Sequence, residues 1–307
     1  SCFETSGKSC ITSHSRTFIE GMDFDLVYFP LKHLGYKCVT AVTGELYAEM
    51  SHPRTLSIRL GVSSKLDFKH IKEVWEGIVA AAKEHGYKQV TLDLVPSPNG
   101  LAVSISSTGE TTNLMAKRRP AAKSMDLICI SDNIGAAFMG FQVLEREKRA
   151  FEKSGDAVAQ PKLDDYKNLV GAYLRPQINP QIINQLEETE IMPSYGYLVT
   201  RGLADAVKRL VRDSGLGAKI YVDKLPFAGK TFELGRELNI DPISAALNGG
   251  EDYRLLFTIP IGKHDKFRHD FQTFDIIGHL AKPEVGAAVV TPDGVELPIK
   301  AQGWKNE

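Results

Sequence analysis

Alternation of apolar and polar positions is clearest over residues 54–62, where Leu56, Ile58 and Leu60 alternate with Thr55, Ser57 and Arg59. A period of two predicts a strand with one buried face. Just downstream the period changes. Phe68, Ile71, Trp75, Ile78, Val79 and Ala82 fall on one stripe of a helix, with Asp67 as N-cap and Gly86 placed to end it. A second strand is predicted over 101–105, a short apolar strand over 127–130, and a helix from about 135 to 151. Residues 202–213 read as another helix, with Leu203, Ala206, Val207, Leu210 and Val211 on one face and a stop at Ser214-Gly215. The last third returns to strands over 253–259, 274–277 and 287–290, with a turn at Asp293-Gly294.

At 307 residues the chain is about twice the usual ~150-residue domain, so two domains are expected. The polar, basic stretch 111–124 is the best candidate for the junction, and it divides the chain into 1–112 and 113–307. Strands and helices mix in both parts. The predicted fold class is therefore α+β, two α/β domains rather than one doubly wound parallel sheet. No repeat of fixed period and no low-complexity segment is visible.

Composition changes this picture mainly by exclusion. With 37 basic against 38 acidic residues the net charge is -1, which gives no support for nucleic-acid binding. No apolar stretch approaches the ~20 residues of a membrane span, and no signal peptide is evident. The four cysteines, Cys2, Cys10, Cys38 and Cys129, lack zinc spacing, and Cys38 and Cys129 lie in apolar runs. Buried free thiols and a cytoplasmic location are expected. The chain opens at Ser1 without Met, which leaves room for an upstream segment.

Three runs could carry chemistry. Thr5-Ser6-Gly7-Lys8-Ser9 looks like the tail of a phosphate-binding P-loop, but the required upstream glycine position holds Cys2 and no strand precedes it. A polar loop is the better reading. His264 and His269 are five residues apart and fall on different faces of any helix, so a solvated charged face is expected there rather than a metal pair. Gly249-Gly250-Glu251-Asp252-Tyr253 puts flexible backbone beside two carboxylates just ahead of an apolar strand. That pattern fits a binding turn and a plain turn equally.

Several segments, in order, resemble the thiamine-monophosphate kinases of the aminoimidazole-ribonucleotide synthetase superfamily. Phe18-Ile19-Glu20-Gly21-Met22-Asp23-Phe24-Asp25 is similar to V-E-G-x-H-F-D, and Glu45-Leu46-Tyr47-Ala48-Glu49-Met50 stands where the family has S-D-x-x-A-M. Asp126 to Ser131, followed by Gly135-Ala136-Ala137, resembles G-D-L-I-x-V-T-G-x-L-G; Gly249 to Tyr253 matches G-G-E-D-Y-E; Ala301-Gln302-Gly303-Trp304 resembles the aromatic C-terminal signature. The resemblance implies an N-terminal α/β domain that forms a barrel with its twin in a homodimer, and a larger C-terminal α/β domain. It also implies transfer of the ATP γ-phosphoryl group to thiamine monophosphate, with magnesium held by aspartates.

Carried over position by position, the resemblance assigns Asp93 and Glu45 to catalysis and metal binding, since they keep acids of the G-G-D-T and S-D motifs. It assigns Asp23, Glu251, Asp252 and Trp304 to the substrate side, Trp304 as a ring that stacks on thiamine. Other metal positions lose their acids. Arg16 replaces the aspartate of T-D, Asn133 that of G-D-L-G, and Leu198 and Arg201 both aspartates of D-x-S-D-G-L, while Ser1-Cys2-Phe3 does not supply the upstream G-D-D. A guanidinium about 4 Å from a divalent ion would repel it by roughly 8 kcal/mol at an effective dielectric near 20. Arg16, Arg201 and Arg119 become candidates for binding a phosphate or nucleotide directly, or Arg16 and Arg201 pair with Glu45 and Asp93 in an inert cleft. The favoured expectation is a homologue whose kinase activity is reduced or lost. The rivals are an active kinase completed by an upstream segment with Glu45, Asp93, Glu251 and Asp252, and a non-catalytic dimer subunit, partnered by an intact paralogue.

Overall fold

The computed structural model describes residues 2–4, 9–112, 115, 119–154 and 163–304. It is α+β, with one five-stranded and one seven-stranded sheet. Its contacts divide it into two compact units: Ser1–Lys117 with Glu147–Ala159 and Leu174–Ile183, and Arg118–Arg146 with Gln160–Tyr173 and Asn184–Glu307. Residues 5–8, the core of the P-loop-like run, lie outside the described residues.

In the first unit the chain runs β1 (Cys2–Glu4), β2 (Ser9–Ile19), α1 (Leu31–Ala48), β3 (His52–Val62), α2 (Phe68–Glu84), β4 (Gln89–Pro96) and β5 (Ala102–Thr112). The sheet order is β1-β2-β5-β3-β4, antiparallel except for the parallel pair β3 and β4. Alternation in β3 and β5 sorts the side chains: Leu56, Ile58, Leu60, Val103 and Ile105 are buried, whereas Ser57, Arg59, Ser104 and Ser106 are not. Asp67 caps α2 by accepting from the His70 backbone N–H at 3.1 Å, as its sequence position predicts. The buried face of α2 is Val74, Ile78, Ala81 and Ala82; Phe68, expected on the apolar stripe, is 77% exposed. The two helices cross through Gly35 and Gly77, where an added Cβ would lie 2.1 Å from the Val74 carbonyl oxygen and 1.9 Å from that of Lys32. The stretch after Leu174 packs in the same unit, with the Arg175 guanidinium 4.6 Å from the Tyr36 ring centre.

The second unit contains β6 (Leu127–Ser131), the first half of α3 (Ala136–Ser154), α4 (Lys167–Leu174), α5 (Ile182–Glu188), β7 (Gly196–Val199), α6 (Leu203–Ser214) and β8 (Gly217–Tyr221). It continues through α7 (Thr231–Leu238), α8 (Pro242–Asn248), β9 (Arg254–Ile259), α9 (His264–Asp270), β10 (Phe274–Ala281), β11 (Ala287–Val290) and β12 (Glu296–Pro298). The sheet order β12-β11-β8-β10-β6-β9-β7 puts β6 and β9 in its interior. Such strands need apolar residues on both faces, and β9 is buried along its whole length. Leu203, Ala206, Val207 and Leu210 of α6 join Ile128, Ile130, Ile220 and Leu256 in the main core. Gly215, left-handed with φ 67°, ends α6 where the Ser-Gly break predicts. Cys10, Cys38 and Cys129 are free, buried thiols, and burial holds the Cys129 thiol well above its ordinary range.

Candidate functional site

The glycine-rich turn at 249–252 is the point in the second unit where several chain ends meet. The Glu251 N–H donates to the Thr200 carbonyl at 2.9 Å and the Tyr253 N–H to that of Val199 at 2.9 Å, so the turn lies against the residues that open α6. Close approach requires glycine. A Cβ at Gly202, whose φ is 93°, would lie 2.3 Å from the Leu247 carbonyl oxygen, and one at Gly250, φ 79°, 2.8 Å from that of Thr200. Arg201, Glu251 and Asp252 are thereby brought together by backbone contacts that side-chain pattern alone does not reveal.

Asp252 does not face solvent. It is 2% exposed and accepts from the Gly135 N–H at 2.9 Å and the Ala137 N–H at 3.1 Å, which fixes the start of α3 to the turn. Burial pushes its carboxyl up to about 6, against the opposing pull of these two donors and of Arg254. Glu251 keeps φ 65° and accepts from the Tyr253 hydroxyl at 3.1 Å. Arg201 is exposed at the threshold of α6 and makes no ion pair among the described residues.

Arg254 lies beside this turn and was not singled out by the sequence reading. It follows directly on Gly249 to Tyr253, at the last position of the G-G-E-D-Y-E pattern that the run resembles. Its side chain is 9% exposed; Nε donates to the Asn133 carbonyl at 3.0 Å and Nη1 pairs with Asp132 at 3.2 Å. Asn133 itself donates from Nδ2 to Asp132 at 2.9 Å. The signal was present as one letter after a motif already noted.

The first-unit residues are dispersed. Asp93 is on edge strand β4 and pairs with Arg59 of β3, its register partner, at 2.8 Å, with both side chains more than half exposed. Arg16 lies on β2, half-buried, with its guanidinium 4.9 Å from the Phe18 ring centre. Three strand spacings, about 14 Å, separate β2 from β4, so Arg16 cannot pair with Asp93. Glu45 is a half-buried position of α1, and Asp23 accepts from the Ile19 N–H at 2.8 Å within the loop after β2. Lys148 of α3 pairs with Asp25 of that loop at 2.5 Å. Arg119 is half-buried ahead of β6.

Trp304 is half-buried beside α6, where its indole N–H donates to Asp205 at 2.8 Å. Two cations flank the ring, Lys208 at 6.0 Å and Arg212 at 5.4 Å from its centre. A thiazolium ring, itself a cation, would meet their repulsion. His264 and His269 each bond through Nδ1 to the adjacent aspartate, Asp265 at 2.8 Å and Asp270 at 2.7 Å, in keeping with a solvated face.

Magnesium would need several oxygen ligands within one coordination sphere. Among the described residues no group of three or more His, Cys, Asp or Glu side chains is placed to hold a metal ion. Of the acids nearest the glycine-rich turn, Asp252 is consumed by the start of α3 and Asp132 by Arg254. Both of those carboxylates are thus already engaged, whereas the Arg201 guanidinium stands exposed beside them.

No protein-family model matches the sequence. The chain is 23% identical to a thiamine-monophosphate kinase of Aquifex aeolicus over 287 residues, covering 94% of this chain and 85% of the relative. It is 24% identical to a putative hydrogenase expression/formation protein of Methanocaldococcus jannaschii, covering 92% and 81%. Among solved structures, a thiamine-monophosphate kinase of Stenotrophomonas maltophilia superposes with a TM-score of 0.78 at 23% identity, over 94% of this chain and 87% of that one. The Aquifex kinase complexed with AMPPCP and TMP gives a TM-score of 0.74 at 21% identity, over 96% and 87%. The chain is thus a divergent relative of the thiamine-monophosphate kinases, with hydrogenase-maturation proteins as further relatives.

Proposed function

We propose that this chain keeps the kinase fold but binds a phosphorylated ligand without efficient phosphoryl transfer, its kinase activity reduced or lost. One observation carries the reading: arginine stands at Arg16, Arg201 and Arg254, where the family motifs have acids, and no metal-sized acid cluster occurs among the described residues. Phosphoryl transfer depends on neutralising charge between two anionic reactants, and magnesium is what the family uses for it. Asp93, already paired with Arg59, and Glu45 are a thin remainder of that set.

The binding that survives is assigned to Arg201, whose exposed guanidinium offers a fork to a phosphate beside the buried start of α6. ATP is the proposed ligand, because a relative of this fold binds AMPPCP. Arg119 in the second unit and, taken by itself, Arg16 in the first are secondary candidates for binding an anion, with Glu251 and Asp23 as substrate-side candidates in the same respective units. The division at 112/113 into a dimerising N-terminal and a C-terminal domain is part of the proposal, as is a homodimer. Free buried thiols favour a cytoplasmic location. No helix among the described residues is long and apolar enough to cross a membrane.

Thiamine diphosphate formation from ATP, magnesium and thiamine monophosphate tests the first half of the proposal. Losing most of the metal charge stabilisation is expected to leave turnover at least about a thousandfold below an ordinary kinase rate of ~1–100 per second. Turnover in that ordinary range, abolished by Asp93→Asn, would overturn it. The second half is tested by melting temperature. ATP should raise it equally with and without a chelator, and Arg201→Ala should remove the rise.

A further inference from the structure

The second sheet has a face turned away from its main core. Ile128 and Ile220 point into that core with α6, so Leu127 and Tyr221, one position along their strands, point the other way. Helix α9 lies on this face, its Phe267 meeting Phe274 of β10 edge to face at 5.7 Å. Beside α9 a pocket of about 960 Å³ stands over β6, β10 and β8. That volume is at the upper end of the ~300–1,000 Å³ span of small-molecule sites. Leu127, Phe274 and Ile276 give it an apolar floor, and Met125 and Ile261, 54% and 48% exposed, stand at its mouth.

The mouth is held from behind. The buried Asp126 carboxylate accepts from the Ile261 N–H at 3.1 Å and the Lys123 N–H at 2.8 Å. The Met125 N–H donates to the Leu280 carbonyl at 2.8 Å, which keeps Met125 in left-handed backbone at φ 77°. The charges of the lining are of both signs. Asp223 and Asp275 face Lys224 and Arg268 across one cavity, and none of the four makes an ion pair among the described residues. Asp223 and Lys224 are consecutive, with Cα atoms about 3.8 Å apart, yet Lys224 lies 5.1 Å from the Tyr221 ring centre instead of on Asp223. His264 is taken up by Asp265 at 2.8 Å. His279, stacked on Tyr221, is held below its ordinary range by burial and by Lys219 and Lys224, so it is mainly neutral at pH 7. The lining is therefore balanced, with two open charges of each sign.

We infer that this pocket binds a small zwitterion with an apolar body, an apolar α-amino acid. The ammonium and carboxylate of such a ligand sit on one carbon, which matches the adjacent open charges of Asp223 and Lys224, and its side chain takes the floor of Leu127 and Ile276. Arg268 offers a guanidinium fork to the same carboxylate. A ligand of net charge would leave two like charges of the lining unmatched. The pocket is separate from the Arg201 site: four strand spacings, about 19 Å, lie between β8 and β7, which Arg201 follows. The inference therefore stands whether or not the chain has kinase activity.

The test is calorimetric titration of the full chain with L-phenylalanine. Saturable binding is expected. N-acetylphenylalanine, which lacks the ammonium, and phenylalanine amide, which lacks the carboxylate, should each bind about tenfold more weakly, the equivalent of about 1.4 kcal/mol. Asp223→Ala and Lys224→Ala should weaken phenylalanine by the same factor, and Arg201→Ala should leave it unaltered. Both side chains are exposed, so neither variant should change the melting temperature of the free chain. Glycine, which has no apolar body, should bind more weakly than phenylalanine. No saturation with phenylalanine, unchanged affinity in both variants, or loss on Arg201→Ala overturns the site. Either blocked derivative binding as tightly as phenylalanine overturns the zwitterion, and glycine doing so overturns the apolar body.

Discussion

Asp252 joins three chain segments with one carboxylate, and its protonation should be visible in stability. Asp252→Ala strands the Gly135 and Ala137 N–H groups in a buried place, at a cost of about 2 kcal/mol in urea unfolding. The pH dependence has a defined sign. The folded carboxyl titrates at about 6, above its ordinary 3.8, so the native state takes up a proton that the unfolded chain does not. Stability linked to this group is full below pH ~4 and is lost as pH rises through 6. Relative to Asp252→Asn, which cannot titrate, the unsubstituted chain should gain about 1 kcal/mol between pH 7 and pH 5. A difference independent of pH would mean that the two backbone donors, not burial, control the group. At this scale the sequence was legible where chemistry is local. Asp67 reads as an N-cap because it acts on the residue three positions on, whereas Asp252 acts on residues more than a hundred positions away.

The elements found from periodicity include those with one wet and one dry face: β3, β5, α2, α3 and α6. Helix α1 shows no stripe because nearly its whole circumference is buried, including Thr40, Thr43 and Lys37. Period-based reasoning has nothing to detect there. Edge strand β4 fails for the opposite reason, being exposed at almost every position, Leu92 and Leu94 included. The crossing of α1 on α2 is likewise invisible in sequence, yet it depends on two hydrogen-sized side chains. Gly77→Ala should destabilise the chain by about 3 kcal/mol, since a methyl 1.9 Å from the Lys32 carbonyl forces the helices apart. Gly171→Ala is the matched control: its methyl meets nothing within 4 Å in α4, and the change should be neutral or stabilising by up to ~1 kcal/mol. Equal urea midpoints for the two variants would show that the crossing is not close-packed. The Asp93–Arg59 pair, by contrast, is too exposed to matter much, and a double-mutant cycle should give a coupling below about 1 kcal/mol.

For the whole molecule, ordered motifs from Phe18 to Trp304 were enough to identify the fold, because they mark turns and strand ends that any chain of this architecture needs. The proposed homodimer would need a surface of its own, and one face of the first sheet offers a candidate. Ser15, Thr17, Thr55, Ser104, Ser106 and Thr108 occupy the face of β2, β5 and β3 that α1 and α2 do not cover. They bond to one another across strands, Ser15 to Ser106 at 2.8 Å, Thr17 to Ser104 at 3.0 Å and Thr55 to Thr108 at 2.6 Å. A strand face of paired hydroxyls is polar enough to stand in water. The paired hydroxyls can be covered at little desolvation cost, since each brings its partner with it, and the charged groups at the margin of the same face, Arg59 with Asp93 and Arg54 with Glu110, are paired as well. That face, on which Ile11 and Ile19 are also exposed, is the surface on which the proposed homodimer would pair. If it does, a charge at its centre must be paid for twice, once on each copy related by the two-fold axis. Ser106→Arg should therefore convert a dimer to a monomer in sedimentation at micromolar concentration, with the melting transition of the monomer still cooperative. Lys65→Glu, on the connection before α2, should leave the dimer intact. A monomeric unsubstituted chain, or a dimer indifferent to Ser106→Arg, would remove this face from the assembly.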